Sequence, residues 1–558
     1  MYICLKFKHM KSSIQVAIVL FFVGWSSVWG QTQIKEKDYT LTYFPTYLSI
    51  LFHDGIASQS LHIEDALTQA PVPFERLANP NQIILNQLRP SQLIKLRYTS
   101  SQHETKTSVV ANSSISSGSI EVYFNHTVDT SLAQTQAAVN LADALDEKLI
   151  SYINQCQNDL DITIYNSYSP SSTTGIAGAI NAAFARGVSV RIIYDGSTSS
   201  VMIPLLNPLI PILASPSSSS YGLMHNKFVI FDGNSSDPNT PIVWTGSTNW
   251  TTAQIDGPDR NNVITIQDKA IALAFKMEFD EMWGSSTTVP NALNSKFGPY
   301  KTDNTPHHFV VGNKVVDLYF SPSDGTNSKI IDAINSADSD IEVATMLITR
   351  SDIKNALLAK YSSGLTNINL MVDSQNPSGN QISAIQAGLP VGQAVVFTLS
   401  GLMHHKFMVI DNFNANSDPL VLTGSHNWSN SAENKNDENT LVVHDATIAN
   451  QYFQAFADLY QQAGGNMEFL GVKASSANEN LCTIYPNPTS ENCTIKWNQN
   501  SSVLAYVRIF STEGKAVFEQ QTTTDTSTTV STASLEEGIY FVSVETILGK
   551  EVFKLIKK

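Results

Sequence analysis

Two segments of the 558-residue chain carry the same reactive side chains in the same order. Each has the pattern His-x-Lys-x4-Asp followed by Gly-Ser-x-Asn-Trp, and Gly-Leu-Met precedes each one. The first set is His225, Lys227, Asp232, Ser247 and Asn249, and the second set is His404, Lys406, Asp411, Ser425 and Asn427. Histidine can attack phosphorus or exchange a proton near neutral pH, and lysine and asparagine can bind phosphate oxygens. The duplicated set therefore predicts a two-step displacement on a phosphate.

A β-strand is expected to present the first part of each set. Successive side chains of a strand point to opposite faces, so the histidine and the lysine of His-x-Lys share one face and reach one ligand together. His405 competes with His404 for the motif position, but only His404 has the His-x-Lys spacing. We therefore expect His405 to be a packing or surface residue on the opposite face.

The segments around the two motifs also repeat, which indicates an internal duplication. Each copy has a strand, a helical stretch, a strand, a helix and a strand ending in aspartate, and an amphipathic helix follows the motif. The first copy has Glu121–Asn125, Gln134–Asn154, Asp161–Tyr165, Gly178–Arg186, Val188–Asp195 and Ile271–Trp283, and the second has Asp317–Ser321, Lys329–Ala337, Asp340–Ala344, Ser351–Tyr361, Ile368–Asp373 and Ile448–Tyr460. Strands that alternate with helices predict two homologous α/β halves, each with a largely parallel sheet.

Short alternating runs of apolar and polar residues flank the duplicated part on both sides. Residues from about 35 to 115 contain runs such as Leu93–Tyr98, which predict a small β-sandwich. The stretch Ile84–Pro90 is similar to the turn into a late strand of a fibronectin type III module, and an unrelated β-domain is the alternative. Residues 478–558 are rich in Thr, Ser, Val and Ile and predict a second β-domain.

The duplicated motif resembles the two-motif phosphodiesterases of the phospholipase D superfamily, over roughly residues 118–465. The resemblance implies that the two halves pack about a pseudo-twofold axis and that both histidines meet at one phosphate. One histidine then forms a covalent phosphohistidine, while the other protonates the leaving oxygen and later activates water or an alcohol. It also implies a reaction that uses no metal ion and no other cofactor.

The family's roles can be carried over residue by residue. The resemblance implies that His225 and His404 are the catalytic histidines, with His225 as the nucleophile. Lys227 and Lys406 would bind the non-bridging phosphate oxygens. Further hydrogen bonds would come from Asn249 and Asn427, with support from Ser247 and Ser425. Asp232 and Asp411 are expected to organise the hairpin turn rather than to perform chemistry.

Two features depart from the family pattern. The segments between the motif aspartate and Gly-Ser are long, at 233–245 and 412–423, and we interpret them as extended hairpin turns, with a calcium loop as the alternative. The family often has a carboxylate after the asparagine that orients a catalytic histidine, and Glu438 fits this position in the second copy. In the first copy we expect Asp259 to substitute for it, so the two histidines would not be equally supported.

Both ends of the chain carry signs of export. Lys6, Lys8 and Lys11 precede an apolar run, which predicts a signal peptide cleaved near Gly30; a transmembrane anchor is the alternative, disfavoured by the short run. The C-terminal pieces Tyr485–Pro488, Arg508–Lys515, Gly538–Val542 and Lys554–Lys558 resemble the sorting domain of the type IX secretion system of Bacteroidetes, with an ordinary β-domain as the alternative. The resemblance implies that the secretion machinery is a partner and that the protein is secreted or held at the cell surface. A disulfide between Cys482 and Cys493 is possible in such a protein.

These observations predict an α/β protein whose two phospholipase D-like halves form one pseudo-twofold unit, flanked by β-sandwich domains. The predicted parts are a signal peptide at 1–30, a fibronectin type III-like domain at 31–117, halves at 118–290 and 300–470, and a sorting domain at 478–558. The net charge of −15 provides no general attraction to nucleic acid. We therefore expect a phospholipid substrate rather than nucleic acid. We also expect no integral membrane span. An extracellular nuclease and a non-catalytic surface adhesion protein are the alternatives.

Overall fold

A computed structural model describes residues 32–44, 47–53, 57–100, 103–167, 170–374, 379–466, 482–497, 503–511, 516–524, 527–546 and 549–558. The predicted signal peptide lies outside these residues. Among the helices described, none is long and apolar enough to cross a membrane.

The N-terminal part consists of two antiparallel sheets that enclose one apolar core, which includes Leu48, Ile50, Leu85 and Leu96. One sheet has the order β1-β2-β3-β6-β5 and the other the order β4-β7-β8. The N-terminal part is rich in β-strands as predicted, whereas the β-sandwich and the fibronectin type III resemblance stay predictions. The strands are β1 (Thr32–Lys35), β2 (Tyr39–Tyr43), β3 (Tyr47–Phe52), β4 (Ala57–Asp65), β5 (Glu75–Arg76), β6 (Gln82–Asn86), β7 (Leu93–Thr99) and β8 (Thr105–Ala111).

The first motif belongs to a sheet of eight strands. Its strands are β9 (Ile120–Phe124), β10 (Val139–Asn140), β11 (Asp159–Ile164), β12 (Ser189–Tyr194), β13 (Ile212–Ala214), β14 (Lys227–Phe231), β15 (Ile242–Gly246) and β16 (Asn262–Gln267). Its helices are α1 (Leu145–Gln155), α2 (Pro170–Ala185), α3 (Thr252–Ile255) and α4 (Lys269–Trp283). The strand order is β10-β9-β16-β15-β14-β11-β12-β13, so β14 with its motif lysine is a central strand.

The second motif belongs to another sheet of eight strands. Its strands are β17 (His308–Val311), β18 (Lys314–Ser321), β19 (Ile341–Thr345), β20 (Ile368–Asp373), β21 (Ala394–Phe397), β22 (Lys406–Ile410), β23 (Leu420–Gly424) and β24 (Glu438–His444). Its helices are α5 (Thr326–Ser336), α6 (Ser351–Ser362), α7 (Ile382–Gly388), α8 (Asn430–Asn434) and α9 (Ala446–Gln462). The order β17-β18-β24-β23-β22-β19-β20-β21 repeats that of the first sheet from its second strand onwards.

The expectation of largely parallel sheets was wrong, because both sheets are mixed. In the first sheet the ladder is antiparallel from β9 through β16, β15 and β14 to β11, and it becomes parallel from β11 to β13. The motif strand β14 forms a hairpin with β15, and a hairpin is necessarily antiparallel. The described parallel pairs are β9 with β10 and β11 through β12 to β13 in the first sheet, and β19 through β20 to β21 in the second, so the sequence pattern predicted part of each sheet correctly.

The two large sheets share a core in which α4 and α9 lie between them. Phe275 of α4 packs edge-on against Phe320 of the second sheet, with ring centroids 5.2 Å apart. Tyr452 of α9 packs in the same way against Phe124 of the first sheet at 5.4 Å. Both helices begin at an aspartate that caps the backbone, Asp268 and Asp445. Burial of these aromatic faces fixes the position of one half relative to the other.

The helix predicted over Gln134–Asn154 was wrong in its first part. The helix α1 begins only at Leu145, and the preceding residues run along α9 of the second half. There the backbone amide of Gln134 donates to Asn450 Oδ1 at 2.9 Å, and that of Ala138 donates to Gln454 Oε1 at 2.8 Å. These contacts satisfy backbone donors that a helix would otherwise have satisfied, so tertiary packing outweighs local helix propensity.

The C-terminal part again has two antiparallel sheets, β25-β26-β29 and β28-β27-β30-β31. Cys482 and Cys493 both lie buried in its core, and no disulfide joins them. The strands are β25 (Cys482–Tyr485), β26 (Asn492–Trp497), β27 (Val503–Ser511), β28 (Ala516–Thr524), β29 (Ser527–Ser531), β30 (Gly538–Thr546) and β31 (Gly549–Lys557).

Candidate active site

The first motif histidine is held by a residue of the second half. His225 immediately precedes the central strand β14, and its Nδ1 lies 2.7 Å from Glu438 Oε2 at the start of β24. Both side chains are buried. A carboxylate only accepts hydrogen bonds, so His225 carries its proton on Nδ1 and Nε2 holds the lone pair. Nε2 is therefore the ring atom of His225 that can bond to an electrophile.

The second motif histidine has a matching contact with the first half, but its partner is an amide. His404 Nδ1 lies 2.9 Å from Asn261 Oδ1, and the hydroxyl of Ser247 donates to the same oxygen at 2.9 Å. A neutral amide stabilises a positively charged imidazole less than a carboxylate does. The two histidines are thus supported unequally, as the sequence predicted.

The partner of His404 differs from the one expected. Asp259 does not contact this histidine; its Oδ1 accepts from the backbone amide of Leu402 at 2.8 Å. Strand register explains the difference, because Gly246 pairs with Val263 just as Gly424 pairs with Thr440. Asn261 is therefore the repeat counterpart of Glu438, and aligning the two copies back from the helix-capping residues Asp268 and Asp445 would have identified it.

The motif lysines contact the backbone of their own histidines. Lys227 Nζ donates to the carbonyl of His225 at 2.7 Å, and Lys406 Nζ donates to that of His404 at 2.7 Å. Both lysines are buried, and burial lowers the pKa of Lys406 to about 7 and holds the pKa of Lys227 well below its usual value. Two such ammonium groups repel each other until an anion binds between them. The arrangement fits a phosphate ligand.

The charges of the two motif sets influence each other, in agreement with the contacts His225–Glu438 and His404–Asn261 between the halves. Burial first, and then the ammonium groups of Lys227 and Lys406, hold the pKa of His225 well below its usual value. Burial and the same two lysines do the same for His404, with His225 as a further contributor. Each histidine therefore senses charge from the opposite half, which is the condition for a single shared site.

Each motif asparagine has a buried side-chain oxygen that is unsatisfied in the described part of the chain. Among the described residues, Asn249 Oδ1 and Asn427 Oδ1 are buried and have no hydrogen-bond partner. The preceding glycines allow this placement, because a Cβ on Gly246 would lie 2.3 Å from the Asn262 carbonyl oxygen and one on Gly424 would lie 2.2 Å from that of Asn439. An unpaired buried amide oxygen costs roughly 1–3 kcal/mol, which a ligand group that donates a hydrogen bond can recover, whereas contact with a phosphate oxygen would use the Nδ2 donor.

The serines of the two sets are tied to the strand beside them. The backbone amide of Asn262 donates to Ser247 Oγ at 3.1 Å, and that of Asn439 donates to Ser425 Oγ at 3.1 Å. Since Asn261 and Glu438 directly precede these amides, the serines help to fix the residues that hold the histidines. This geometry agrees with the supporting position expected for Ser247 and Ser425.

The motif aspartates lie at the far end of their strands, away from the histidines. Asp232 has a positive φ of 54° and accepts from the backbone amides of Gln157 and Asn158 at 2.9 and 2.5 Å. Asp411 has a φ of 57° and accepts from the amides of Asp338 and Ser339 at 2.8 and 2.7 Å. They hold the turn after the motif strand, as expected.

The segments that follow these aspartates form turns. β14 and β15 pair on either side of the first segment, and β22 and β23 pair on either side of the second, as expected for extended hairpins. In the part of the chain that the structure describes, no group of three His, Cys, Asp or Glu side chains is arranged to hold a metal ion. The calcium-loop alternative therefore has no support.

His405 is a packing residue. It is fully buried, and its Nε2 lies 2.8 Å from the Nε2 of His126, while its Nδ1 lies 3.0 Å from Asn262 Oδ1. Burial keeps the pKa of both histidines low, so both are neutral near pH 7. The sequence allowed a packing or a surface position, and the packing position is confirmed. Nothing in the sequence pointed to His126 as its partner.

The duplicated part matches the family described as "Cardiolipin synthase, PLD-like domain" at residues 149–283 and again at residues 330–460. The C-terminal part matches the "Secretion system C-terminal sorting domain" at residues 483–558. The two matches of the first family contain one His-x-Lys motif each. The sorting domain indicates that the protein is secreted or held at the cell surface.

Individual proteins with similar sequences include a mitochondrial cardiolipin hydrolase of Xenopus tropicalis, 30% identical over 25% of this chain and 62% of its own length. A phospholipase D of Rickettsia prowazekii is 28% identical over 29% of this chain and 78% of its own length. Among solved structures, a phospholipase D family member, Nuc from Salmonella typhimurium, is 27% identical and covers 26% of this chain and 94% of its own, with a TM-score of 0.23.

The chain spans about three fifths of the length of the cardiolipin hydrolases it matches. The family match, by contrast, covers both halves and both motifs. The chain therefore contains a duplicated domain of the cardiolipin synthase and phospholipase D superfamily, followed by a type IX C-terminal sorting domain.

Proposed function

We propose that this protein is an exported phosphodiesterase that hydrolyses the head-group phosphodiester of a phospholipid through a phosphohistidine intermediate. One observation carries the proposal: each motif histidine is held at Nδ1 by a residue of the opposite half, His225 by Glu438 and His404 by Asn261. Because the opposite half engages Nδ1 of each ring, Nε2 is the ring atom that would act on the phosphorus. Export would use the predicted signal at residues 1–30, removed on passage, and the C-terminal sorting domain.

The unequal partners assign the first step. The Glu438 carboxylate stabilises positive charge on the imidazole ring, and that charge develops when His225 Nε2 bonds to phosphorus. Binding of the anionic phosphate offsets the effect of Lys227 and Lys406 on His404, so His404 takes up a proton at Nε2. Beside the neutral Asn261 amide it gives up this proton readily and acts as the general acid. The N–P bond forms, the P–O bond to the head group breaks, and the His404 proton passes to the departing oxygen.

The second step restores the enzyme. His404, now neutral, takes a proton from water, and the resulting oxygen attacks phosphorus as the bond to His225 breaks. Lys227 and Lys406 stabilise the non-bridging oxygens in both transition states, and Asn249 and Asn427 add hydrogen bonds to the phosphate. The reaction as written balances with the chain's own side chains and one water molecule.

The substrate class is supported by the relatives and by charge. The matched proteins carry the names cardiolipin hydrolase and phospholipase D. A chain with a net charge of −15 gains no general attraction to nucleic acid. The buried ammonium groups of Lys227 and Lys406 are sufficient for one phosphodiester group but do not form a long basic track.

The test is a parallel assay of the purified protein on phosphatidylcholine and cardiolipin vesicles and on plasmid and single-stranded DNA. We expect head-group release from vesicles and no DNA cleavage. DNA cleavage without lipid cleavage would replace the proposal with the nuclease alternative. A folded protein that cleaves neither substrate would favour a binding role instead.

Matched variants connect the activity to the site. His225→Asn and His404→Asn should each abolish turnover, because each removes one of the two steps. His62→Asn is the control, since His62 is an exposed residue of the N-terminal part and pairs with Glu64. Full activity in both motif variants would overturn the mechanism.

A further inference from the structure

The chain between the two halves passes directly behind the residue that holds His225. Lys301 follows the short 3₁₀ turn Gly298–Tyr300 in this connecting segment, and its ammonium group is buried between two carboxylates. It contacts Glu278 of α4 in the first half and lies 3.4 Å from Asp437 Oδ1 in the second half. All three side chains are at most 3% exposed.

Asp437 joins three segments of the chain. Its Oδ1 accepts from the backbone amide of Gly298 at 2.7 Å, and its own amide donates to the carbonyl of Leu223 at 2.9 Å. It also forms a parallel bridge with Met224, the residue before His225. The connecting segment, the approach to His225 and the start of β24 therefore meet at one carboxylate.

Asp437 is linked to His225 through its neighbour Glu438, which points to the other face of the strand. Asp437 precedes Glu438, and consecutive residues of a strand point to opposite faces. Glu438 Oε2 lies 2.7 Å from His225 Nδ1, and its Oε1 accepts from Asn436 Nδ2 at 3.2 Å. The backbone amide of Leu223 donates to Asn436 Oδ1 at 3.0 Å. A displacement of Asp437 would therefore move both partners of the His225–Glu438 pair.

The close approach of these segments requires glycine. Gly298 has a φ of 51°, and a Cβ there would lie 2.6 Å from the Lys435 carbonyl oxygen. A Cβ on Gly222 would lie 2.5 Å from the same atom. Neither position can carry a side chain unless the backbone that precedes Asp437 moves. The connecting segment is therefore in close contact with the backbone that precedes Asp437.

The other motif has the same backbone pattern with a different side chain. Arg260 is the repeat counterpart of Asp437, and its amide donates to the carbonyl of Leu402 at 2.7 Å. Its guanidinium contacts the carbonyl of Pro258 and lies 5.9 Å from the centroid of the Phe397 ring. The buried ion triad is therefore present on the His225 side and is replaced on the His404 side.

We propose that Lys301 is a positioning residue: with Glu278 and Asp437 it holds Glu438, and through it His225, in line for attack on phosphorus. The segment between the halves thereby becomes part of the active site rather than a passive link. The kinetic consequence rests on the proposed phosphodiesterase function, whereas the structural consequence does not. A misplacement of about 1 Å costs on the order of 100-fold in rate.

Two variants and one control test the proposal in the full chain. Lys301→Met removes the charge at similar length, and Asp437→Asn keeps an oxygen for Gly298 while weakening the ion contact. Lys296→Met is the control, because Lys296 pairs with Glu281 at 2.9 Å in the same region and is 45% exposed. We expect Lys301→Met to lower kcat by about tenfold to 100-fold with little change in KM, on the scale given above. Lys296→Met should change neither constant.

A double-mutant cycle separates positioning from general destabilisation. In a Glu438→Gln background the His225 contact is already weakened, so Lys301→Met should lose most of its effect on kcat. An undiminished effect in that background would overturn the proposal.

A spectroscopic measurement works without any substrate. The Nδ1 proton of His225, assigned by its loss in His225→Asn with isotope-labelled histidine, should shift or broaden in Lys301→Met and Asp437→Asn and stay unchanged in Lys296→Met. An unchanged signal in folded Lys301→Met would overturn the proposal even if vesicle hydrolysis is confirmed. If no variant and no wild-type protein cleaves lipid, the phospholipid proposal fails while this signal still decides the role of Lys301.

Discussion

Replacing Glu438 by Gln removes the negative charge beside His225 and keeps the shape of the side chain. The bond is 2.7 Å long, and Glu438 is completely buried. A hydrogen bond to a charged group contributes about 1.5–3 kcal/mol. At about 1.4 kcal/mol per factor of ten, the variant should lose roughly 10-fold to 150-fold in kcat.

Asn261→Leu is the matched change beside His404. A neutral hydrogen bond contributes about 0.5–1.5 kcal/mol, so the loss should be roughly 2-fold to 10-fold. The assay compares natural phosphatidylcholine with a phosphatidyl ester of p-nitrophenol, whose leaving group departs without a proton. Glu438→Gln should slow the formation of the intermediate from both substrates. Asn261→Leu should slow that step mainly for phosphatidylcholine.

The comparison can refute the reasoning in two ways. If Asn261→Leu has the larger effect on the p-nitrophenyl ester, His404 is the nucleophile and the assignment is reversed. If Glu438→Gln retains full activity on both substrates, the buried carboxylate does not support the charge on His225, and the geometric argument fails.

Three further outcomes follow from the structure. Sulfate should raise the Tm more at pH 6 than at pH 9, because burial lowers the pKa of Lys406 to about 7 and the anion needs its ammonium form; equal shifts at both pH values would contradict this. Burial raises the pKa of Glu342 well above its usual value. The free energy of unfolding of the wild-type protein is therefore undiminished by this group below the pKa of the unfolded state, and it falls as pH rises above that value. Glu342→Gln should therefore be more stable in urea unfolding at neutral pH, by an amount that grows by up to about 1.4 kcal/mol per pH unit above about pH 4.3 and vanishes below it. Asp411→Ala should lower the free energy of unfolding by about 1–3 kcal/mol, because it leaves the amides of Asp338 and Ser339 without their acceptor, while the surviving folded protein keeps its pH profile.

The chemistry of the site was predictable because it depends on residue types at short spacings. His225 and Lys227 are separated by two positions, and strand alternation alone places them together. The repeat then predicted that a second pair, His404 and Lys406, would have the same geometry. The amphipathic helices after each motif were also predicted, because their apolar stripes pack between the two sheets.

What the sequence could not predict depends on contacts between distant segments. The residues before Leu145 do not form the predicted helix, because their backbone amides bind Asn450 and Gln454, which lie more than 300 positions away. The partner of His404 was misplaced by two residues, and the register of β15 with β16 and of β23 with β24 shows that Asn261 corresponds to Glu438. Lys301 does not belong to any sequence motif. Its position becomes informative only when Glu278 and Asp437 are seen beside it.

The central claim is that His225 and His404 act in sequence on one phosphorus, and trapping the intermediate tests it most directly. His404→Asn should accept the phosphatidyl group from the p-nitrophenyl ester, since this leaving group needs no acid, and should then fail to activate water. Peptide mass spectrometry after rapid quenching should find the phosphatidyl adduct on His225, and the adduct should be absent when His225→Asn is added. An adduct on another residue, or no adduct while the wild-type protein turns over the same ester, would contradict the account.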